Sequence, residues 1–414
     1  MFSTRTAMAL PRQLSAGSRA AVLRSSKPSP ARITSPLDRR RWIQTYGYTQ
    51  AKALMYSKYG EPKDVLSLHT HSISAPHSTQ VNLRLLAAPL NPADINQIQG
   101  VYPSKPPFTS ILGTSTPSAV AGNEGAFEVL SAGSAVTSLQ KGDWVIMKHT
   151  SMGTWRTHTQ FDESQLLKIN NADSSLTPLQ VGTVSVNPVT AYRMIKDFCE
   201  WDWLRQGEEW LIQNGANSGV GRAAIQLARE WGIKTINVVR ERDTEAETKA
   251  LKDELHALGA NVVLTETQLL DSRAFRDIVH DATRQGKEPI RLALNCVGGK
   301  SATALAKVLA HNSSLVTYGA MAKLPLTIPA GMLIFNNLAF RGFWVSRWSD
   351  KNPGLKLDTV QDVLRMTREG RFKDIPAHEV EWTWEKSGEA LAEEVQGTLG
   401  GKRSGKGVFV YKGD

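Results

Sequence analysis

Two cysteines, Cys199 and Cys296, are all that 414 residues contain. A disulfide framework is thereby excluded, as is a zinc site built on four cysteine ligands, and both side chains read as small apolar residues. No run of about 18 or more apolar residues occurs, so no membrane-spanning helix is expected. Acids are nearly missing from the opening. Residues 1–47 hold Asp38 alone against Arg5, Arg12, Arg19, Arg24, Lys27, Arg32, Arg39, Arg40 and Arg41. That surplus of eight accounts for most of the formal charge of +10 and leaves +2 on the remainder. A near-neutral body lacks the clustered cations that phosphate backbones require, so nucleic acid is not an expected partner. The leader is rich in Ser and Arg and has no continuous apolar stretch of secretory type. Its composition is that of a mitochondrial transit peptide, with cleavage expected between Arg41 and Tyr48, and a basic tail without a targeting role is the bland alternative.

Past the leader the chain has two textures. Lys52 to Ile169 carries short β-like runs between turn residues, such as Val81–Leu86 and Asp143–Met147, and predicts an irregular barrel. From about Val186 to Phe340 apolar strands alternate with helical segments, the pattern of a parallel sheet covered on both faces. Trp210–Gln213, Thr235–Val239, Val262–Leu264, Arg291–Asn295 and Ser314–Tyr318 are the predicted strands. Helices are predicted over Gly221–Trp231 and Glu245–Leu258, the second closed by Gly259. A last strand, Gly407–Tyr411, would return to the first domain.

The strongest local signal is Asn214-Gly215-Ala216-Asn217-Ser218-Gly219-Val220-Gly221, set between a strand and a helix. Glycines there allow a sharp turn and close approach to a diphosphate, while the helix offers free N–H groups and the positive end of its dipole. The spacing is G-x-x-x-G-x-G, so its weight comes from the strand–turn–helix context. A glycine-rich turn without a ligand is the plain alternative. The second strand runs into Arg240-Glu241-Arg242. A cofactor with a free 2′-hydroxyl favours an acid at the place of Arg240, whereas two arginines suit a 2′-phosphate and point to NADPH.

These features resemble the medium-chain dehydrogenase/reductase superfamily, in which a Rossmann doubly wound parallel sheet is inserted into an irregular GroES-like β-rich catalytic domain. The α/β architecture this implies assigns 48–185 and 345–414 to the catalytic domain and 186–344 to the NADPH-binding domain. Zinc enzymes of the superfamily carry Gly-His-Glu. Here the stretch is Gly122-Asn123-Glu124-Gly125, so no metal is expected, and a substrate carbonyl must be polarised by hydrogen bonds. Within the zinc-free branch the chain is most similar to the mitochondrial 2-enoyl thioester reductases. The residues carrying that likeness are Asn91–Tyr102, Gly122–Gly125, Asn187–Tyr192 and Gly342–Val345. Asn-Pro-x-Asp and Gly-x-Tyr occur in quinone oxidoreductases too.

The resemblance implies reduction of an enoyl-CoA or enoyl-acyl-carrier-protein substrate by NADPH in the mitochondrial matrix, by a homodimer. It makes Tyr102 the donor to the thioester oxygen. It also assigns Asn187, Asn217, Ser218, Gly219 and Val220 to the cofactor and its diphosphate, and Tyr318, Gly319, Ala320 and Met321 to the nicotinamide ribose. Phe343, Trp344 and Val345 would line the nicotinamide and acyl pocket, and Lys406 would help hold the adenosine phosphate. Taken without the family, Tyr102 is a loop tyrosine with no marked partner, and Phe343 and Trp344 are as readily plain core. Three rivals stand beside the reductase reading: an NADPH:quinone oxidoreductase, a non-catalytic nucleotide-binding protein and, weakened by the near-neutral body, a nucleic-acid-binding protein.

Overall fold

The chain runs first through eight short strands: β1 (Tyr48–Tyr56), β2 (Ser67–Ser74), β3 (Gln80–Pro89), β4 (Ala119–Val120), β5 (Ala126–Ala132), β6 (Trp144–Met147), β7 (His158–Asp162) and β8 (Leu166–Ile169). The computed structural model describes residues 47–171, 174–204, 207–398 and 405–413, and the leader with its targeting reading lies outside them. Along β3, Val81, Leu83 and Leu85 are buried and alternate with polar Asn82 and Arg84, as a side-chain period of two dictates. β3 pairs with β5 on one side and β7 on the other, while β1 lies between β2 and β4 in a separate small sheet. Trp155 is fully buried, meets Phe409 edge-on at 5.4 Å and donates its indole N–H to the Pro89 carbonyl at 3.3 Å. The Trp155 indole thus leaves no buried donor idle, whereas that of Trp382, equally buried on the returning segment, has no partner among the described residues.

Six parallel strands make the second sheet: β9 (Trp210–Gln213), β10 (Lys234–Val239), β11 (Val262–Thr265), β12 (Ile290–Asn295), β13 (Ser314–Thr317) and β14 (Ala339–Gly342). Their order is β11-β10-β9-β12-β13-β14. It reverses between β9 and β12, the switch point at which doubly wound sheets bind nucleotides. Because every pairing is parallel, the carboxyl ends of all six strands face one rim. The chain then returns through β15 (Ala377–Trp382) and β16 (Lys406–Tyr411), and β16 pairs antiparallel with β3.

The helices that position the site are α1 (Pro92–Ile98), α2 (Asn187–Asp197), α3 (Gly219–Glu230), α4 (Glu245–Leu258), α5 (Val345–Lys351) and α6 (Pro353–Arg368). Helix α4 starts where the Thr244 hydroxyl accepts the Glu247 N–H at 3.2 Å and stops at Gly259 in the left-handed region, so both ends are written in residue types. One apolar cluster joins the two sheets. It holds Ala126, Ile146 and Ile169 of the barrel, Leu211, Leu294 and Val316 of the parallel sheet, Val360, Val363 and Leu364 of α6, and Ala223 and Leu227 of α3. Each fully buried Leu or Val there contributes on the order of 1.5–3 kcal/mol. α6 lies in the stretch that sequence reasoning gives to the catalytic domain, yet it packs at this junction.

Candidate active site

Between the end of β9 and the start of α3 lies the turn Asn214–Ser218. The Ser218 hydroxyl accepts the Gly221 N–H at 3.1 Å and caps α3. The other first-turn amides keep their donors, at the positive end of a twelve-residue helix. A Cβ on Gly221 would lie 2.6 Å from the Ala216 main chain, so that position admits glycine alone. A Cβ on Gly219 would lie 2.5 Å from Asn187 Nδ2, which shows how closely the first residue of α2 is set against the turn. The Asn217 side chain is otherwise engaged. Its Oδ1 accepts from Arg222 Nε at 2.8 Å, and Arg222 grips Glu254 of α4 with two bonds of 2.7 and 2.8 Å. Val220 points into the core. Asn217 and Val220 thus have main-chain amides, not side chains, to offer a diphosphate.

At the switch point Asn214 Nδ2 donates to Asn295 Oδ1 and Asn214 Oδ1 accepts from the Cys296 N–H, both at 2.8 Å. The loop Tyr318–Met321 leans on this junction through Tyr318 N–H to the Asn295 carbonyl and Met321 N–H to the Cys296 carbonyl. The Tyr318 hydroxyl is buried and makes no hydrogen bond, although Ser218 and Cys296 stand beside it. Burial, reinforced by Cys296, pushes this phenol well above its ordinary range. It remains a neutral donor beside the amino end of α3. An orphaned buried donor at that place fits a phosphorylated nucleotide. Cys296 is buried, and burial pushes its thiol up as well; Cys199 is half-buried.

Arg240 and Arg242, just past β10, are exposed and have no ion-pair partner among the described residues. Glu241 between them requires a correction, because its carboxylate is engaged by the main chain just past the carboxyl end of β11 rather than left free for a ligand. Its carboxylate accepts the Thr267 N–H at 3.2 Å. Burial opposes its ionisation, but hydrogen bonds from Thr265 and Thr267 outweigh that and hold it at about 2. The Arg242 N–H donates to Thr248 Oγ1 at 2.8 Å and fixes the two arginines relative to α4.

Tyr102 is set by the Asn91–Tyr102 motif. Pro92 opens α1, and Asp94 Oδ2 accepts the Asn91 N–H at 2.8 Å. After α1 the N–H groups of Val101 and Tyr102 both donate to the Asn96 carbonyl, at 2.9 and 3.1 Å. The Tyr102 ring stands edge-to-face with Trp344 at 5.7 Å, and the Trp344 indole N–H donates to the Tyr102 hydroxyl at 2.7 Å. Trp344 lies two residues past β14 and so brings the phenol to the rim where the phosphate turn sits. Indole nitrogen can only donate. The phenol therefore receives at its oxygen and keeps its own proton for another acceptor. Val345 is half-buried against the junction core. Phe343 is a second correction. It is 8% exposed and packed between Phe198 at 5.8 Å and Trp348 at 6.4 Å, so its ring is core and not pocket wall.

Lys406 is the third correction. Its ammonium donates to Asn91 Oδ1 and lies in the field of Glu124 and Asp94, which burial outweighs in lowering its pKa. Asn91 in turn donates to Glu124 at 2.8 Å. Glu124 accepts the Val186 N–H at 2.8 Å and the Ser185 hydroxyl at 3.3 Å, which orients the entry to α2 and Asn187. Burial raises the pKa of Glu124, and it raises that of Asp94 to about 6. The ammonium is thus engaged with a buried polar cluster of the barrel, not presented to an adenosine phosphate. Asn123, at the place of the zinc-ligand histidine, donates to Asp94 at 2.7 Å and Gln97 at 2.6 Å and accepts the Ser151 N–H at 2.8 Å. Among the described residues no group of His, Cys, Asp and Glu is arranged to hold a metal ion. Sequence reasoning left Glu124 open between function and structure and passed over Asp94, Gln97 and Arg222. Only Asp94 carried a signal, the capping spacing after Asn91-Pro92.

Residues 77–171 match the family described as alcohol dehydrogenase GroES-like domain, and residues 219–359 match the zinc-binding dehydrogenase family. Fold and site together define a nucleotide-dependent oxidoreductase of the medium-chain dehydrogenase/reductase type. The mitochondrial enoyl-[acyl-carrier-protein] reductase of Yarrowia lipolytica is 43% identical over 356 residues, 86% of this chain and 90% of that protein. A Kluyveromyces marxianus protein named NADPH quinone oxidoreductase is 40% identical over 78% of this chain and 83% of its own length. Among solved structures, the Etr1p/NADP/crotonyl-CoA complex has a TM-score of 0.82 at 39% identity. The mitochondrial 2-enoyl thioester reductase Etr1p/Etr2p heterodimer from Candida tropicalis scores 0.82 at 38%; both alignments cover 88% of this chain and all of the other. The chain belongs to the mitochondrial enoyl-[acyl-carrier-protein] reductase family.

Proposed function

We propose that the protein reduces the 2,3 double bond of trans-2-enoyl thioesters, carried on acyl-carrier protein or coenzyme A, with NADPH in mitochondria. On this reading residues 1–47 are the transit peptide, 48–185 and 345–414 the catalytic domain and 186–344 the nucleotide domain. The observation that carries it is the indole-to-phenol hydrogen bond, which leaves the Tyr102 proton free at the nucleotide rim.

Saturating an enoyl thioester places hydride on the β carbon and a proton on the α carbon, with negative charge on the thioester oxygen in between. NADPH, when bound, supplies the hydride. The amides of Asn217, Gly219 and Val220 hold its diphosphate, since the Ser218 N–H is spent on the Gly215 carbonyl at 2.9 Å. The Tyr318 loop holds its nicotinamide ribose, Arg240 and Arg242 its 2′-phosphate, and Asn187 is fixed beside the turn by the Glu124 contact at Val186. Tyr102 directs its O–H at the thioester oxygen, and the Trp344 N–H stabilises charge that reaches the phenol oxygen. A donor fixed in advance where charge develops is worth about 2.7–4 kcal/mol of barrier.

The test is Tyr102→Phe, read as NADPH consumption with crotonyl thioester. Turnover is expected to fall at least roughly tenfold while NADPH binding persists; unchanged turnover removes Tyr102 from this role. The Kluyveromyces relative favours a second reading, quinone reduction. The same assay with a quinone distinguishes them, since faster turnover of the quinone would replace the thioester.

Assembly as a homodimer is part of the proposal. Leu333, Ile334 and Phe335 are exposed apolar residues preceding the edge strand β14, and Met321 and Leu324 are exposed in the loop before them. Such a surface suits burial against a second copy.

A further inference from the structure

Tyr102 and Trp344 meet across 242 residues of sequence, and each sits on a segment that is separately fastened to one short stretch of the barrel, residues 147–151. On the Trp344 side, Asp350 of α5 accepts both the N–H and the hydroxyl of Thr150, each at 3.0 Å, with His149 Nδ1 at 3.6 Å from the same carboxylate. Lys356, in the first turn of α6, is 4% exposed and donates to the Met147 carbonyl at 2.8 Å and the Lys148 carbonyl at 3.3 Å. An ammonium buried on main-chain carbonyls is costly unless both bonds hold, so this contact pins the end of β6. On the Tyr102 side, Gln97 Nε2 donates to the Ser104 carbonyl at 2.9 Å and to Ser151 Oγ at 3.1 Å, and the Ser104 and Ser151 hydroxyls lie 3.3 Å apart. The contacts close a ring that runs from Tyr102 through Ser104, Ser151, Thr150 and Asp350 to Trp344 and back.

We infer that Asp350 is a positioning residue for the reduction. Its two-point grip on Thr150, backed by Lys356, sets the height of α5 over the barrel and so holds the Trp344 N–H on the Tyr102 oxygen. The inference rests on the reading of Tyr102 as the donor to the thioester. Asp350 touches neither aromatic ring and acts through the segment that carries one of them. Displacements of about 1 Å far from the chemistry can cost on the order of a hundredfold in rate.

The experiment introduces Asp350→Ala, Asp350→Asn and Thr150→Ala into the full chain, each alone and combined with Tyr102→Phe. Asp350→Ala is expected to lower kcat for crotonyl thioester roughly tenfold with the KM for NADPH unchanged. Asp350→Asn, which keeps an acceptor for the Thr150 N–H, should recover part of that loss, and Thr150→Ala should resemble Asp350→Ala. In the Tyr102→Phe background none of the three should lower kcat further. Equal losses in both backgrounds, or a proportional rise in the KM for NADPH, would overturn the inference. A second readout is independent of turnover. The Trp344 indole N–H resonance, assigned by its loss in Trp344→Phe, should move in Asp350→Ala in the same direction as in Tyr102→Phe. If Tyr102→Phe leaves turnover intact while the resonance moves as stated, the donor reading fails and the positioning stands. If the resonance is unmoved in Asp350→Ala, the positioning fails whatever the kinetics.

Discussion

A phenol that lends its proton, as proposed for Tyr102, needs something to steady the charge left behind, and the group that donates to its oxygen is the Trp344 indole N–H. Trp344→Phe retains a ring of similar position and the edge-to-face contact but removes the donor. Its expected effect is a fall in kcat of roughly tenfold or more with little change in the KM for NADPH. A rise in the KM for the thioester with kcat intact would reduce Trp344 to a wall of the pocket. Lys406 calls for the opposite kind of test. Its ammonium serves the Asn91–Glu124 cluster, so Lys406→Met leaves buried carboxyls without their cation. Removing one member of such a pair costs about 3–5 kcal/mol, and thermal unfolding should show a clear loss of stability. An unchanged melting temperature with a raised KM for NADPH would return Lys406 to the adenosine phosphate.

The strand–turn elements concentrate the nucleotide chemistry at one rim. Arg240 and Arg242 follow β10 with no carboxylate paired to them among the described residues, so their charge is available to a 2′-phosphate. Reversing both to Glu should raise the KM for NADPH much more than that for NADH, measured side by side. Equal rises would refute the 2′-phosphate assignment. Elements of this kind were legible beforehand because their causes are local. Helix α4 was readable to the residue from Glu245 to Leu258, its capping box and terminal glycine both lying in the string. Five of the six parallel strands announced themselves as short apolar runs separated by helical periods; the edge strand β14, Ala339–Gly342, did not. What the string concealed is tertiary. Nothing near Tyr102 names Trp344 as its partner. Glu241 was counted with its arginine neighbours, but the first turn of the short helix after β11, Glu266–Leu270, captures its carboxylate. Phe343 adjoins Trp344 in sequence, yet the alternation of an extended chain turns its ring to the core.

At the scale of the whole molecule, two surfaces can be tested. The exposed Ile334 and Phe335 next to the outermost strand of the parallel sheet predict that Phe335→Glu converts a dimer into a monomer in sedimentation. A wild-type protein that sediments as a monomer removes the dimer. Acid is the second probe. Within the barrel His71 and His158 are held neutral, each lowered to about 4. Burial is the main cause for both, followed by Arg156 and His69 for His71 and by Arg84 and His71 for His158. An unfolded histidine titrates near 6.5. The stability these rings contribute is therefore present above about pH 6.5 and lost as pH falls toward 4. Asp94, raised to about 6, works in the other direction over the same range, so a difference measurement is needed. The melting temperature of His158→Phe relative to wild type should rise between pH 6.5 and 4.5. Parallel pH profiles would show that His158 does not titrate on unfolding.

The barrel is sewn shut by the chain's own end. Lys406, which begins β16, binds Asn91 across 315 residues of sequence, and β3 waits for β16 along one edge. The parallel sheet, by contrast, is complete once β14 has emerged. During synthesis or threading through a pore, the nucleotide half can assemble while the barrel still lacks its closing stave. Non-local pairing of this kind is slow and leaves apolar edges open meanwhile. The order of the strands along the chain thus lets the nucleotide half form before the barrel that faces it is closed.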